Sequence, residues 1–223
     1  MQIGLIGGIG PAATDYYYRR LITAFETRED DLDLTIAHAD TPTLIDNLLR
    51  NDTAAQVVIY NRLVQRLIRG GARCVAVSSI AGHFCIDAFK AISPLQVVDM
   101  VTAVNEAITA RGLKRVGILG TRVVMESRVY GGIETADVIP PAGDELEAVN
   151  KAYLEMAASG VVTNDQRAVF DTAATRLIES SDVDAIMMGG TDLALVYREG
   201  ETDFPIVDCA AVHVDALVRF ATG

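Results

Sequence analysis

The sequence Ile-Gly-Leu-Ile-Gly at residues 3–7 recurs as Val-Gly-Ile-Leu-Gly at residues 116–120, which is 113 residues later. Two further stretches repeat at a spacing of 111 residues. They are the apolar run 74–79, repeated at 185–190, and Pro94 with the apolar run after it, repeated at Pro205. Apolar runs alone rarely match three times at nearly one spacing, so the chain is predicted to contain two similar halves.

Short apolar runs alternate with longer helical patterns along both halves. Strands are expected near residues 2–7, 33–38, 73–78, 96–98, 114–119, 135–139, 184–188 and 205–207. Helices are expected over residues 11–27, 43–49, 54–69, 83–91, 101–111, 145–158, 165–179 and 211–220. Near-continuous apolar strands that alternate with helices are typical of parallel sheets covered on both faces.

The fold class predicted from this alternation is α/β. It consists of two similar, doubly wound parallel-sheet halves related by an internal pseudo-twofold symmetry, with a small-molecule site in the cleft between them. The first half is expected to comprise residues 1–100 and 209–223, because the last helix crosses back onto it, and the second half residues 101–208. Ligands of such sheets lie at the carboxyl ends of the strands. The loops concerned follow Gly7, Ser79, Gly120 and Gly190.

Composition and charge narrow the function classes. The net charge of −11 argues against a nucleic-acid partner, because phosphate contacts need clustered Lys and Arg. No apolar run approaches the roughly 18 residues of a membrane span, and the start of the chain leaves no room for a signal peptide. The three cysteines form no CxxC pair and fit a reducing cytoplasm. A small acidic ligand stays compatible with the net negative charge, because the local electrostatic potential inside a pocket can be positive.

Residues 8–13 match the pattern G-x-G-x-x-A, the dinucleotide fingerprint, between an expected strand and an expected helix. Pro11 removes one of the amides that such a loop offers to phosphate. The equivalent loop after Gly120 carries no matching glycines. Three interpretations stay open: a nucleotide site, a carboxylate or phosphate bound at the helix start through Gly8 and Gly10, and a tight turn that only packs.

A second cluster, residues 78–83, stands where a buried strand ends and a helix begins. Ser79 could cap that helix, or it could be a nucleophile or acid aided by His83, four residues on. His83 could also be only packed and hydrogen-bonded. With three histidines and no HxH or HExxH pattern, no metal site is expected.

Two further clusters end expected strands. In residues 189–192, two glycines allow a backbone amide to approach a ligand closely, while Thr191 and Asp192 are also good helix-start residues. After the second strand, Thr41 or Thr43 could cap the next helix or touch a ligand.

Together these motifs resemble the aspartate/glutamate racemase family, in order and over nearly the whole chain. The family's G-G-x-G-P-x-x-T loop is found here at residues 7–14. Its C-N-T-x-H motif corresponds to Ser-Ile-Ala-Gly-His at 79–83, and its G-C-T-E motif to Gly-Gly-Thr-Asp at 189–192. Its P-x-x-D-R segment reads Thr-Leu-Ile-Asp-Asn at 43–47. The stretch L-x-T-x-x-T-x-x-S-x-x-Y is partly kept as Leu119, Thr121, Ser127 and Tyr130, with Val124 in place of its second threonine.

The resemblance implies an enzyme that needs no cofactor, pyridoxal phosphate included, and that forms a homodimer. In the family, two cysteines flank the substrate α-carbon; one removes its proton and the other returns a proton to the opposite face. Here Ser79 and Gly190 stand at those two positions, and Asn47 stands where the family has a carboxylate-binding arginine. Asp192 is the only ionisable candidate near the vacant second position.

The expected function is therefore that of a racemase- or isomerase-like enzyme acting on a small carboxylic or amino acid, with altered chemistry. The alternative is a catalytically lapsed member that binds a small acid or a partner protein. The catalytic residues that the resemblance implies are Ser79, His83 and Asp192, with Gly190 marking the missing cysteine. The substrate-binding residues that it implies are Gly8, Gly10, Thr14, Thr41, Asn47, Ile80, Ala81, Thr121 and Thr191.

Overall fold

The computed structural model describes residues 1–8, 10–129, 131–198 and 200–223. Two motif positions from the sequence, Ile9 and Tyr130, lie outside the described residues. The chain divides into two compact units, residues 1–103 with 213–223, and residues 104–212. Each unit holds one four-stranded parallel sheet with flanking helices, which confirms the predicted α/β class.

The first unit contains a parallel sheet in the order β2-β1-β3-β4. Its strands are β1 (Ile3–Gly7), β2 (Leu34–His38), β3 (Cys74–Val77) and β4 (Gln96–Val97). Its helices are α1 (Pro11–Glu26), α2 (Thr41–Leu49), α3 (Thr53–Arg69) and α4 (Ile86–Ile92), with a 3-10 helix over Ala81–Cys85 and the start of α5 (Met100–Ala110). Both central strands, β1 and β3, are buried along their whole length.

Helix α3 shows why the first unit is stable. Tyr60, Leu63, Val64 and Leu67 lie at helical spacing and are buried, so one face of the helix packs on the sheet. The Tyr60 ring lies 5.1 Å from the Phe89 ring of α4, centroid to centroid. Full burial of each large apolar side chain contributes about 1.5–3 kcal/mol.

The second unit repeats this sheet, in the order β6-β5-β7-β8. Its strands are β5 (Arg115–Gly120), β6 (Asp137–Ile139), β7 (Ala185–Gly189) and β8 (Ile206–Asp208). Its helices are the rest of α5, α6 (Arg122–Glu126), α7 (Asp144–Ser159), α8 (Asn164–Ser181) and the start of α9 (Cys209–Thr222), with a 3-10 helix over Thr191–Leu195. In both units the first strand pairs with the second and the third, so the sequence repeat corresponds to a repeated topology.

The C-terminal part of α9 belongs to the first unit. The Tyr17 hydroxyl lies 2.7 Å from His213 Nδ1, and the amino group of Met1 donates to the carbonyl of Ala221 at 3.0 Å. Within the ranges that the structure describes, no helix is both long enough and apolar enough to cross a membrane.

The helix expected over residues 83–91 is two elements, the 3-10 helix Ala81–Cys85 followed by α4. Helix α6 was not expected, and of the 3-10 helix Thr191–Leu195 the sequence marked only the helix-start residues Thr191 and Asp192. Each has five residues, too few for a 3.6-residue hydrophobic period to show in the sequence.

Candidate functional site

Strands β1 and β3 are neighbours in the sheet, because Ile6 pairs with Val77, so the loops that follow them lie together at its carboxyl edge. The Thr14 hydroxyl of α1 accepts from the backbone N–H of Gly8 at 2.7 Å. It also lies 3.3 Å from the Ser78 hydroxyl, which itself donates to the carbonyl of Ile6 at 3.3 Å. A hydroxyl group of α1 and one of the loop after β3 are therefore gathered at one edge of the first sheet.

Gly8 is held in a conformation that only glycine tolerates. Its φ is +87°, and an added Cβ would lie 2.4 Å from His38 Nδ1 and 2.5 Å from the carbonyl oxygen of Ala39. The Thr41 hydroxyl donates to the carbonyl of Gly8. Gly10, the other expected binding glycine of this loop, has a φ of +81°. Gly8 is thus held by Thr14 through its N–H and by Thr41 through its carbonyl.

Helix α2 is capped by Asp40, and the expectation that Thr41 or Thr43 would cap it is wrong. The Asp40 carboxylate accepts from the backbone N–H of Thr43 at 2.9 Å and from the Thr43 hydroxyl at 2.5 Å. The hydroxyl bond, together with the backbone bond, lowers the pKa of Asp40. Aspartate is a better N-cap here than threonine, because the positive end of the helix dipole also stabilises its carboxylate.

Ser79 follows β3 directly and is 7% exposed. Its hydroxyl makes no hydrogen bond to any residue that the structure describes, whereas its carbonyl accepts from the N–H of Gly82 at 3.1 Å. The 3-10 helix after it has no side-chain cap, so the alternative that Ser79 is a helix cap is wrong. Ile80 is buried and Ala81 half-buried at the start of this 3-10 helix.

Both ring nitrogens of His83 bind backbone groups. Nδ1 lies 2.7 Å from the carbonyl of Ser79, so it carries a proton and donates. Nε2 then accepts from the backbone N–H of Met100 at 3.3 Å. Burial lowers the pKa of His83, although Asp99 acts against this. The neutral ring therefore fixes the Ser79 backbone and does not bond to the Ser79 hydroxyl.

A second buried histidine packs beside it. The rings of His213 and His83 lie 5.9 Å apart. His213 Nε2 donates to the carbonyl of Val98 at 2.8 Å, which leaves Nδ1 to accept from Tyr17. Burial, followed by the neighbouring His83, lowers the pKa of His213 to about 3. Both histidines are therefore neutral at pH 7.

We expect the two histidines to make the protein acid-sensitive. Their folded pKa values lie below the reference value of about 6.5, so the unfolded chain binds more protons between about pH 6.5 and the folded values. The free energy of unfolding then falls as pH falls, by up to about 1.4 kcal/mol per pH unit for each histidine. Thermal unfolding between pH 7 and pH 5 measures this slope.

The matched variant is His213→Gln, whose amide donates to Val98 and accepts from Tyr17 without titrating. It should lose up to half of the slope. An unchanged slope in this variant would show that His213 does not contribute.

Asn47 is 2% exposed, and its side chain is hydrogen-bonded to other side chains of the protein. Its Nδ2 donates to Gln56 Oε1 at 2.9 Å, and its Oδ1 accepts from Arg50 at 3.1 Å. The structure thus gives both polar atoms partners, one just after α2 and one on α3. We leave Asn47 out of the substrate site proposed below.

Replacing Asn47 by alanine should lower the free energy of unfolding by about 1–3 kcal/mol, because it leaves the buried Gln56 amide without its partner. The double variant Asn47→Leu/Gln56→Leu should recover part of that loss, since neither polar group then remains buried. Denaturant titration measures both. If the single variant is as stable as the wild-type protein, the bond is not structural.

The carboxyl edge of the second sheet carries the third cluster, because β5 and β7 end together where Gly120 pairs with Gly189. Thr121 caps α6 through a 3.4 Å bond from the N–H of Val124. Thr191 is half-buried at the start of its 3-10 helix, which has no side-chain cap.

Gly190 has an extended backbone, with φ −166° and ψ 137°, which any residue could adopt. A Cβ there would nevertheless lie 2.2 Å from the Tyr153 hydroxyl and 2.5 Å from two of its ring carbons. The Tyr153 hydroxyl donates to Asp192 Oδ2 at 2.8 Å. Burial, and then the Asp192 carboxylate, raise the pKa of Tyr153 well above its usual value.

Tyr153 is the residue that sequence reasoning missed. It lies on α7, 37 residues before Gly190 (190 − 153), and no motif contains it. The one available signal was the glycine at 190 itself, since an absent side chain leaves space for another group.

None of the three cysteines is suited to acid/base work. Cys74, Cys85 and Cys209 are all free and buried. Burial raises the pKa of Cys85 to about 12 and also raises the pKa values of Cys74 and Cys209. A protonated, buried thiol is a poor nucleophile and a poor base.

Comparison with known proteins agrees with this architecture. A protein of Yersinia pestis described as a candidate Asp/Glu racemase is 25% identical, with 100% of each chain covered and a TM-score of 0.88. An aspartate racemase homologue from Pyrococcus horikoshii is 24% identical, with 100% of this chain and 99% of that chain covered and a TM-score of 0.87. Glutamate racemase from Francisella tularensis in complex with D-glutamate shares the fold, at 16% identity, 99% and 81% coverage and a TM-score of 0.69.

The model of the Asp/Glu/hydantoin racemase family matches residues 6–217. That range takes in the segments after β2, β3, β5 and β7 and most of the loop after β1, which carry the motifs of the resemblance. The predicted family is confirmed. This protein belongs to the Asp/Glu/hydantoin racemase family.

Proposed function

We propose that this family member is a cofactor-independent isomerase-type enzyme that moves a proton at the α-carbon of a small carboxylic or amino acid. The observation that carries the proposal is the Ser79 hydroxyl. It lies at the carboxyl end of a central strand, at a catalytic motif position, and has no partner among the described residues. A hydroxyl that no protein group engages can donate a hydrogen bond to a bound ligand.

The loop between β1 and α1 is suited to a carboxylate. Helix α1 has 16 residues, no acidic residue in its first turn and no side-chain cap, so its N-terminal dipole is not neutralised. The hydroxyls of Thr14 and Ser78 stand beside it. This supports Gly8, Gly10 and Thr14 as carboxylate-binding residues. Thr41, Ile80, Ala81, Thr121 and Thr191 complete the proposed set.

The chemistry differs from that of a two-thiol racemase. A thiol has a reference pKa of about 8.5, and a serine hydroxyl is a far weaker acid. His83 is occupied by backbone groups, so it serves as a positioning residue for the Ser79 backbone. Ser79 then acts as a neutral donor to the charge that develops on the substrate. This suits chemistry on one face, such as isomerisation, decarboxylation or lysis.

Proton NMR in D₂O tests the proposal with aspartate, glutamate, malate, maleate and substituted malonates. Loss of the α-proton signal, or a new product, is the expected result for at least one acid. Complete silence from folded protein would refute the enzymatic function.

A catalytically lapsed member that binds a small acid or a partner protein is the second candidate. It is favoured by the burial of all three thiols and by the backbone bonds of His83. Calorimetry with the same acids separates the candidates, because a lapsed member binds without any exchange in D₂O.

We also propose a cytoplasmic homodimer with domains 1–100 plus 209–223 and 101–208. The three free cysteines support a reducing compartment. Light scattering after size-exclusion chromatography tests the dimer: a monomeric mass at micromolar concentration would contradict it.

A further inference from the structure

The space beside Gly190 is filled, although residue 190 has no side chain. The backbone at Gly190 is extended, so a glycine is not required by conformation. It is required by space, because a Cβ would lie 2.2 Å from the hydroxyl of Tyr153. The tyrosine hydroxyl therefore occupies the place where a side chain at position 190 would start.

The hydrogen bond of Tyr153 has a direction. A carboxylate can only accept, so the tyrosine donates its proton to Asp192 at 2.8 Å. The lone pairs of the phenol oxygen are then left on the side away from Asp192. Tyr153 is buried and Asp192 is half-buried, so Asp192 can exchange protons with water.

We propose that Tyr153 and Asp192 form a two-residue proton relay that takes over the acid/base work of the missing side chain at position 190. The inference rests on the proposed function, because it needs a substrate whose α-proton is exchanged. It assigns Tyr153 as the catalytic residue that touches the substrate and Asp192 as the positioning residue and proton acceptor behind it.

Every proton and electron pair is accounted for when the relay runs in either direction. When the substrate C–H bond breaks, its proton forms a new O–H bond on Tyr153, and the original phenol proton moves to Asp192 Oδ2. The carbon keeps the electron pair, and its charge spreads into the neighbouring carboxyl group. On the return, the protonated Asp192 gives a proton back to Tyr153 while the phenol gives one to carbon. The net base is the Asp192 carboxylate.

The surroundings of the phenol favour such a relay over a tyrosinate base. Burial and the Asp192 charge raise the pKa of Tyr153, so the hydroxyl stays neutral and passes a proton on only as another arrives. The glycine at 190 leaves the space that the Tyr153 hydroxyl fills.

The test measures α-proton exchange in D₂O for Tyr153→Phe, Asp192→Asn and the double variant, using the acid of the panel that exchanges fastest with the wild-type protein. Tyr153→Phe keeps the ring and removes only the hydroxyl. Each single variant should lose about 10²–10⁴-fold in kcat with little change in KM. The double variant should lose no more than the worse single variant, because the two residues act as a unit.

The matched control is Tyr197→Phe, which removes the hydroxyl of another buried tyrosine of the same unit. Its exchange rate should stay within about twofold of wild type, and thermal unfolding should show that all variants fold. Wild-type exchange that persists in Tyr153→Phe would overturn the relay and leave the proposed function standing. Additive losses in the double variant would also overturn it. Silence of the wild-type protein would overturn the proposed function and the relay with it.

Discussion

Replacing Gly8 by alanine is expected to lower the free energy of unfolding by about 2–5 kcal/mol. About 1–2 kcal/mol comes from placing a Cβ on a residue with φ +87°, and about 1–3 kcal/mol from overpacking. The His38 ring can rotate away from the new Cβ. The carbonyl oxygen of Ala39, 2.5 Å away, belongs to the backbone and cannot.

Gly112→Ala is the matched control for this prediction. Gly112 also has a positive φ, +68°, but an added Cβ there would meet nothing within 4 Å. It should therefore lose only the conformational part, about 1–2 kcal/mol. Denaturant titration of both variants gives the difference. If the two losses were equal, the close approach of Gly8 to residues 38 and 39 would not matter for stability.

Ser79→Ala should reduce α-proton exchange by about 10²–10³-fold, the usual cost of removing one hydrogen-bond donor to the developing charge. Its stability should hardly change, because the hydroxyl has no partner among the described residues and its removal leaves nothing unsatisfied. NMR in D₂O measures the exchange, and thermal unfolding measures the stability.

The neighbouring Ser78→Ala is the comparison for stability. Ser78 is fully buried, and its hydroxyl bonds to Ile6 and lies beside Thr14, so its loss should cost about 1 kcal/mol. A Ser79→Ala protein that exchanges at the wild-type rate would remove Ser79 from the mechanism.

Much of the fold was predictable from the sequence, because the spacing of apolar residues distinguishes strands from helices in long segments. The run at 74–79 gave β3, and the pattern at 54–69 gave α3, within two residues. Short elements gave no such signal. The turns of 3-10 helix after β3 and β7 are set by packing at the sheet edge, and five residues hold no measurable period.

The candidate site was predictable only in part. Motif spacing located Ser79 and Gly190 directly after the central strands β3 and β7, where the structure has them. His83 was expected at the start of a helix and lies within the 3-10 helix Ala81–Cys85. The partners of the side chains were not predictable, because they come from elsewhere in the chain. The bond between His83 and the backbone of Met100, and the approach of Tyr153 to position 190, depend on tertiary packing.

The contact between Gly190 and Tyr153 restricts how this chain can evolve or be engineered. A codon change that restores cysteine at 190 would place its Cβ against the tyrosine, so that step alone should produce a damaged protein and not a thiol enzyme. Shrinking Tyr153 first would open a void and leave Asp192 without its partner. Each single step passes through a less fit intermediate, so a thiol at position 190 needs both changes together. Library designs for this protein should therefore randomise residues 153 and 190 as a pair.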